Sequence, residues 1–243
     1  MSDAAAGAFP ATRQSLVRDL GSADPQARAA AYDGLARSYW RPVYVYIRFR
    51  RRRRREDAQD LTQAFFARAF EREYLAAYDP SKARFRTFVR VCLDRFLANE
   101  DKAAFRLKHG AGIVVTPAEV SALDDDLAAH VPSDEPDPER WFYREWIRAL
   151  FAGALERLRR RCEETGHQKA YTLFRRYDVD GEEGVTYAAL AADAGLRVTD
   201  VTNELAWARR AFREIVLETL RGICASDDEF RAEARDLLGV DVP

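Results

Sequence analysis

The chain has 243 residues, 47% hydrophobic and 33% charged, with a formal net charge of −1. That suffices for one large or two small domains with packed cores. No apolar run approaches the roughly 20 residues of a membrane span, the N-terminus carries no hydrophobic signal core, and Cys92, Cys162 and Cys224 are too few and too scattered for a disulfide framework. Neither a membrane partner nor a disulfide framework is expected, and a cytoplasmic protein with reduced thiols is expected. The near-neutral sum conceals segregation. Residues 41–107 hold 17 Lys/Arg against nine Asp/Glu, whereas residues 108–138 hold seven Asp/Glu against one Lys.

Apolar residues recur at spacings of three and four, the period of amphipathic helices. Residues 26–39 carry Ala27, Ala30, Tyr32, Leu35 and Tyr39, and residues 41–54 carry Val43, Tyr44, Tyr46 and Ile47. Residues 50–55 are six consecutive arginines at a helix end, either a nucleic-acid contact or a solvated patch. Residues 56–73 carry Ala58, Leu61, Phe65 and Ala69. Asp79, Pro80 and Ser81 mark a loop; residues 85–105 then present Phe85, Phe88, Val89, Cys92, Leu93, Phe96 and Leu97. Gly110, Gly112, Pro117, the acids at 124–126 and the prolines from Pro132 to Pro138 predict an acidic linker. A second helical block opens with Trp141, Trp146, Ile147, Leu150, Phe151, Leu155 and Leu158, runs through Tyr171, Phe174 and Tyr177, and ends near Leu220. Residues 222–243 read as a polar tail with one short helix at 228–238. The expected fold is all-α: two helical domains joined by the linker.

Residues 186–213 carry the most specific local pattern, that of a helix-turn-helix. Thr186 is placed to cap a short helix whose Tyr187, Leu190 and Ala191 face a core. Gly195 supplies the left-handed stop, and Val198, Val201 and Leu205 anchor a second helix. Arg197, Thr199, Asp200, Thr202, Asn203 and Glu204 remain near its exposed N-terminal half, in reach of base edges, with Arg209, Arg210 and Arg213 in reach of phosphates. An ordinary helical hairpin fits the same pattern.

Three segments carry a resemblance to a known family. Residues 56–66 (EDAQDLTQAFF) resemble the clamp-binding helix of sigma factors, residues 85–90 (FRTFVR) the start of their promoter-melting helix, and residues 201–210 (VTNELAWARR) the recognition helix of their second domain. In order and spacing they resemble bacterial sigma-70 family RNA polymerase sigma factors of the extracytoplasmic-function type, over roughly residues 12–221. The resemblance implies a first domain at 12–108, a linker at 109–138, a helix-turn-helix domain at 139–221 and a tail at 222–243. It implies two partners, core RNA polymerase and promoter DNA, and neither cofactor, metal nor catalytic residue. Asp57, Asp60 and Gln63 would meet the polymerase clamp. Ser81, Lys82, Arg84, Arg86 and Arg90 would meet the −10 element, while Phe85 and Phe88 sit on the apolar stripe. Arg197, Thr199, Asp200, Asn203, Arg209 and Arg210 would meet the −35 element.

The chain departs from the family where relatives carry acids and it has Gln59 and Ala64. Thr62 lies in this depleted patch. It is a candidate for a Ser/Thr protein kinase, whose phosphate would add about −1.5 to −2 charge and restore clamp binding; it also reads as a small, partly buried helix residue. Thr202, Glu204 and Trp207 stand where relatives often carry Lys or Arg, with Trp207 directed to the core or to the polymerase flap. Residues 108–112 form a glycine hinge. Two other functions fit the pattern: a stand-alone helix-turn-helix regulator, and a kinase-responsive interaction adaptor. An enzyme does not: there is no nucleophile–base set and no phosphate loop, Cys162 with His167 makes only a weak metal pair, and residues 178–181 echo a calcium loop without its remaining ligands. In the free protein, the acidic strip pairing with the arginine run would hold the two domains together.

Overall fold

The computed structural model describes residues 15–106, 137–181 and 184–242. The 108–112 hinge and the expected linker as far as residue 136 lie outside them, while Asp137 and Pro138, expected in the linker, begin a helix. Among the described residues the fold is all-α, with no strand.

After the single turn α1 (Leu16–Asp19), helix α2 (Pro25–Val45) starts on Asp24, whose carboxylate accepts the Gln26 N–H at 3.0 Å, with Pro25 at the first helical position. The sequence pattern divides this region near residue 40, yet α2 continues through Pro42 into a π-turn, Tyr46–Arg50, closed by the Arg51 N–H on the Tyr46 carbonyl at 3.2 Å. Proline removes one helical hydrogen bond. Burial outweighs that loss, because residues 43–47 are all at most 2% exposed. A helix buried on every side is enclosed by neighbours on every side.

Helix α3 (Arg55–Glu71) buries Ala58, Thr62, Phe65 and Ala69, a stripe at helical spacing. A 3-10 turn (Tyr74–Ala77) and the 79–84 loop lead to α4 (Phe85–Arg106). Helix α5 (Pro138–Thr165) starts on an Asp137 cap and stops at Gly166, whose φ of +79° suits glycine. Next come α6 (Gln168–Phe174) with its π-turn Arg175–Val179, then α7 (Tyr187–Ala194), α8 (Val198–Ile223) and α9 (Asp227–Leu238).

No gap in the core separates the two sequence-predicted domains among these residues. Helix α5 lies along both α2 and α8, and the Tyr46 ring meets Phe142 at 5.9 Å and Trp141 at 6.3 Å. Trp141, Phe142 and Trp146 are at most 5% exposed, each contributing roughly 1.5–3 kcal/mol by leaving water. Helix periodicity says that these rings face a core without saying whose. The predicted tail also returns to the first block. Ser15 Oγ donates to the Cys224 carbonyl at 2.6 Å, and Arg18 Nε to the Ala225 carbonyl at 2.8 Å.

Candidate nucleic-acid interface

The helix pair in residues 186–213 forms from short-range signals. Thr186 Oγ1 accepts the Ala189 N–H at 3.2 Å, and Gly195, at φ +62°, ends α7. The Leu196 N–H then donates to the Ala191 carbonyl at 2.9 Å, satisfying a group the helix end leaves open. Buried Leu190 and Ala191 belong to the same core as Val201, Leu205 and Ala208 of α8. Val198, a sequence-predicted anchor, is instead 47% exposed, since the first residue of α8 lies on its outer side. Thr199, Thr202 and Asn203 are exposed beside it, with the Thr202 hydroxyl donating back to the Val198 carbonyl at 3.0 Å.

The charged candidates on α8 divide. The Asp200 carboxylate accepts the Arg197 N–H at 3.2 Å and its guanidinium at 2.7 and 2.9 Å, so these two residues cap the helix and neutralise each other. The guanidinium bonds hold the Asp200 carboxyl below its usual range. Arg209 grips Asp178 at 2.9–3.2 Å and the Tyr187 hydroxyl at 3.1 Å, above the Tyr177 ring. Arg210 and Arg213 stay exposed. Trp207 stacks on His167 with ring centroids 4.1 Å apart, and His167 Nδ1 lies 3.2 Å from Glu204. Among the candidates on α8, Thr199, Thr202, Asn203, Arg210 and Arg213 face outward, with the exposed acids Glu214 and Glu218 further along, whereas Arg197, Asp200 and Arg209 are engaged within the fold.

On α3, Asp57 and Asp60 are exposed and Gln63 is half-buried. Thr62 is fully buried, its hydroxyl donating to the Ala58 carbonyl at 2.7 Å. It belongs to the core stripe, and in this conformation the hydroxyl is closed to a kinase. The arginine run is not one helical patch. Arg51 pairs with Asp94 at 2.8 Å, Arg53 pairs with Asp101, and Arg52 occupies the left-handed region at φ +52°. These partners come from α4; the acidic strip lies outside the described residues.

At the start of α4, Asp79 organises the loop. Its carboxylate accepts the Ser81 N–H at 3.0 Å and hydroxyl at 2.7 Å and pairs with Lys82 at 3.1 Å; these hydrogen bonds hold its pKa down at about 2. Ser81 and Lys82 remain exposed. Phe85 is buried and Phe88 half-buried. The arginines behave differently. Arg84 meets Asp236 at 2.6 Å and Glu233 at 3.3 Å. Arg86 meets Glu233 at 3.2 Å and lies 3.9 Å over the Tyr143 ring. The Phe85 N–H donates to Glu229 at 2.6 Å. Thr87 donates to Glu139 at 2.8 Å, and Arg90 bridges Asp94 at 2.8 Å and Glu139 at 3.7 Å. The sequence-predicted phosphate ligands Arg84, Arg86 and Arg90 are thus occupied by carboxylates, those of α5 and α9 among them.

Sequence reasoning missed the acids of α9. Their signal was present: Glu229, Glu233 and Asp236 fall at i, i+4 and i+7, one stripe of a helix. Glu233 is 2% exposed, and its burial raises the carboxyl above its usual range despite two guanidinia. A cleft of about 450 Å³ opens beside this contact, lined by Pro80, Lys82, Arg84, Ser226, Asp228 and Glu229.

Among the described residues no group of three His, Cys, Asp or Glu side chains could hold a metal ion, and Cys92, Cys162 and Cys224 are free thiols. No helix among them is long and apolar enough to cross a membrane. Comparison with protein-family profiles, with curated proteins and with solved structures gives no match for this chain.

Proposed function

We propose that the chain is a sigma factor of the extracytoplasmic-function type: it joins core RNA polymerase and directs it to promoters, with no chemistry of its own. The observation that carries this is the pair α7 and α8, capped by Thr186 and turned at Gly195, with Thr199, Thr202 and Asn203 exposed on the N-terminal half of the longer helix. We read the pair as a helix-turn-helix serving a −35-reading domain at 139–221. Its exposed hydroxyl and amide groups suit base edges, and Arg210 and Arg213 suit phosphates. The exposed acids Asp57 and Asp60 on α3 suit a basic clamp surface. Ser81 and Lys82, with the arginines behind them, suit an opened −10 strand, which assigns that role to a domain at 12–108. Phosphorylation of Thr62 belongs to this reading only through a conformation in which α3 has turned its buried stripe outward.

The test is co-elution of the purified chain with core RNA polymerase, followed by run-off transcription from genomic fragments. Association and promoter-dependent transcripts are expected, and Asp57→Lys with Asp60→Lys is expected to weaken association at least tenfold. Failure to associate, with or without prior kinase treatment, overturns the proposal; specific DNA binding without polymerase would instead mark a stand-alone regulator.

A further inference from the structure

We propose that α9 is a displaceable acidic plug, whose carboxylates stand on the start of α4 where the phosphates of a nucleic-acid strand would otherwise stand. The choice of nucleic acid as the competing ligand rests on the promoter-binding function; the plug itself rests on the contacts.

Three donors converge at this point: the Phe85 N–H in the first turn of α4 and the guanidinia of Arg84 and Arg86. An orphan helix N–H beside two arginines is a general anion receptor. One stripe of α9 fills all of it. Glu229 takes the N–H at 2.6 Å, Glu233 reaches both arginines at 3.2 and 3.3 Å, and Asp236 closes on Arg84 at 2.6 Å. Each of these contacts has a phosphate equivalent, so one anion can replace another donor by donor.

The contact is built for exchange rather than for strength. Arg86 Nε meets Glu233 at 3.2 Å and Glu233 Oε2 meets Arg84 at 3.3 Å as ion contacts without hydrogen-bond geometry, and a buried ion pair so incompletely bonded returns little of its desolvation cost. The apolar hold of α9 is four residues: Phe230 and Ala234 are buried, and Leu237 and Leu238 are half-buried against the same core. Its tether stays in place when it moves. Residues 224 and 225 are fastened to α1 through Ser15 and Arg18, so α9 swings about Ser226 and remains at high local concentration over its site. The plug thereby sets a threshold that a strand must overcome.

The experiment uses the full chain and a fluorescein-labelled 20-nucleotide single strand, followed by anisotropy. The triple variant Glu229→Gln, Glu233→Gln, Asp236→Asn keeps side-chain shape and removes the anions. It is expected to bind at least tenfold more tightly than the parent, with a steeper salt dependence by about 1.4 in logarithmic slope for two added phosphate contacts. A charge-matched control, Glu156→Gln, Glu163→Gln, Glu164→Gln on the exposed side of α5, is expected to gain less than threefold. Adding Arg84→Glu and Arg86→Glu to the triple variant is expected to erase the gain. Equal gains in the triple variant and the control, or a gain that survives the charge reversal, overturn the plug. Should the triple variant lose helix content, Asp236→Asn alone, at the solvent-facing rim, is expected to gain two- to threefold, and no gain there overturns it equally. Core-polymerase binding, which uses α3, is measured on the same samples. Association without the DNA gain refutes the plug alone, and the gain without association refutes the sigma-factor reading alone.

Discussion

Two glycine-to-alanine substitutions of identical chemistry should act with opposite sign. Gly195 sits at φ +62° and ψ 41° between α7 and α8, and a Cβ built there meets nothing within 4 Å. Any penalty at this position is therefore conformational rather than steric. An L-residue in the left-handed region costs roughly 1–2 kcal/mol, while alanine recovers about 0.4–1 kcal/mol by restricting the unfolded chain. Gly195→Ala should thus lose about 1 kcal/mol, and Gly195→Asn less, since asparagine tolerates this region. Gly153 lies in the interior of α5, is exposed, and also has nothing within 4 Å of a built Cβ. Gly153→Ala should gain about 0.5–1 kcal/mol. For a chain of this length 1 kcal/mol shifts the thermal midpoint by about 2–4 °C, so the two variants should melt roughly 3–8 °C apart with the parent between them. Thermal and urea unfolding followed by circular dichroism measure both. A Gly195→Ala protein at least as stable as the parent would refute the assignment of this glycine as an obligatory left-handed stop.

Other substitutions read other parts of the fold. Thr62→Val keeps the buried shape and should cost less than about 1 kcal/mol, whereas Thr62→Glu places a charge in the core stripe and should cost more than about 3 kcal/mol; equal urea midpoints would mean that α3 already exposes this face. Burial raises the Cys92 thiol to about 11 and lifts Cys162 and Cys224 as well. About one Cys92 thiol in a thousand is then ionised at pH 8, so Ellman's reagent should react slowly with the native protein and rapidly with three thiols in urea; a fast native thiol would contradict the burial. Glu233 titrates above the ordinary value of 4.5 in the folded state. Between that value and its raised one, the folded chain keeps a proton that the unfolded chain releases, and stability falls as pH rises through this window. Glu233→Gln should remove that part of the slope when urea midpoints are compared from pH 4.5 to 7, and parallel slopes for parent and variant would refute it.

What a short stretch of chain dictates, the sequence by itself determined. Thr186 starts a helix and Gly195 stops one through contacts with backbone groups a few residues away, as read from the sequence; Asp24 with Pro25 and Asp137 with Pro138 carry the same local signal, although Pro138 falls within the expected linker. The apolar stripe of α3 and the burial of Phe85 follow likewise from periodicity, which sets the face of a helix that turns inward. Tertiary structure decided which groups these elements would meet. Pro42 sits inside α2 because α5, arriving from beyond the linker, helps enclose that stretch and returns the lost hydrogen bond in burial. Thr62 became core rather than surface for the same kind of reason. The arginines at 84 and 86 are legible as anion ligands from their charge alone; that their anions are Glu233 and Asp236, roughly 150 residues onward, depends on where α8 ends and how its last turn is pinned to α1. Charge and period are properties of neighbours along the chain, whereas the pairing of charges is a property of neighbours in space, and only packing brings those together.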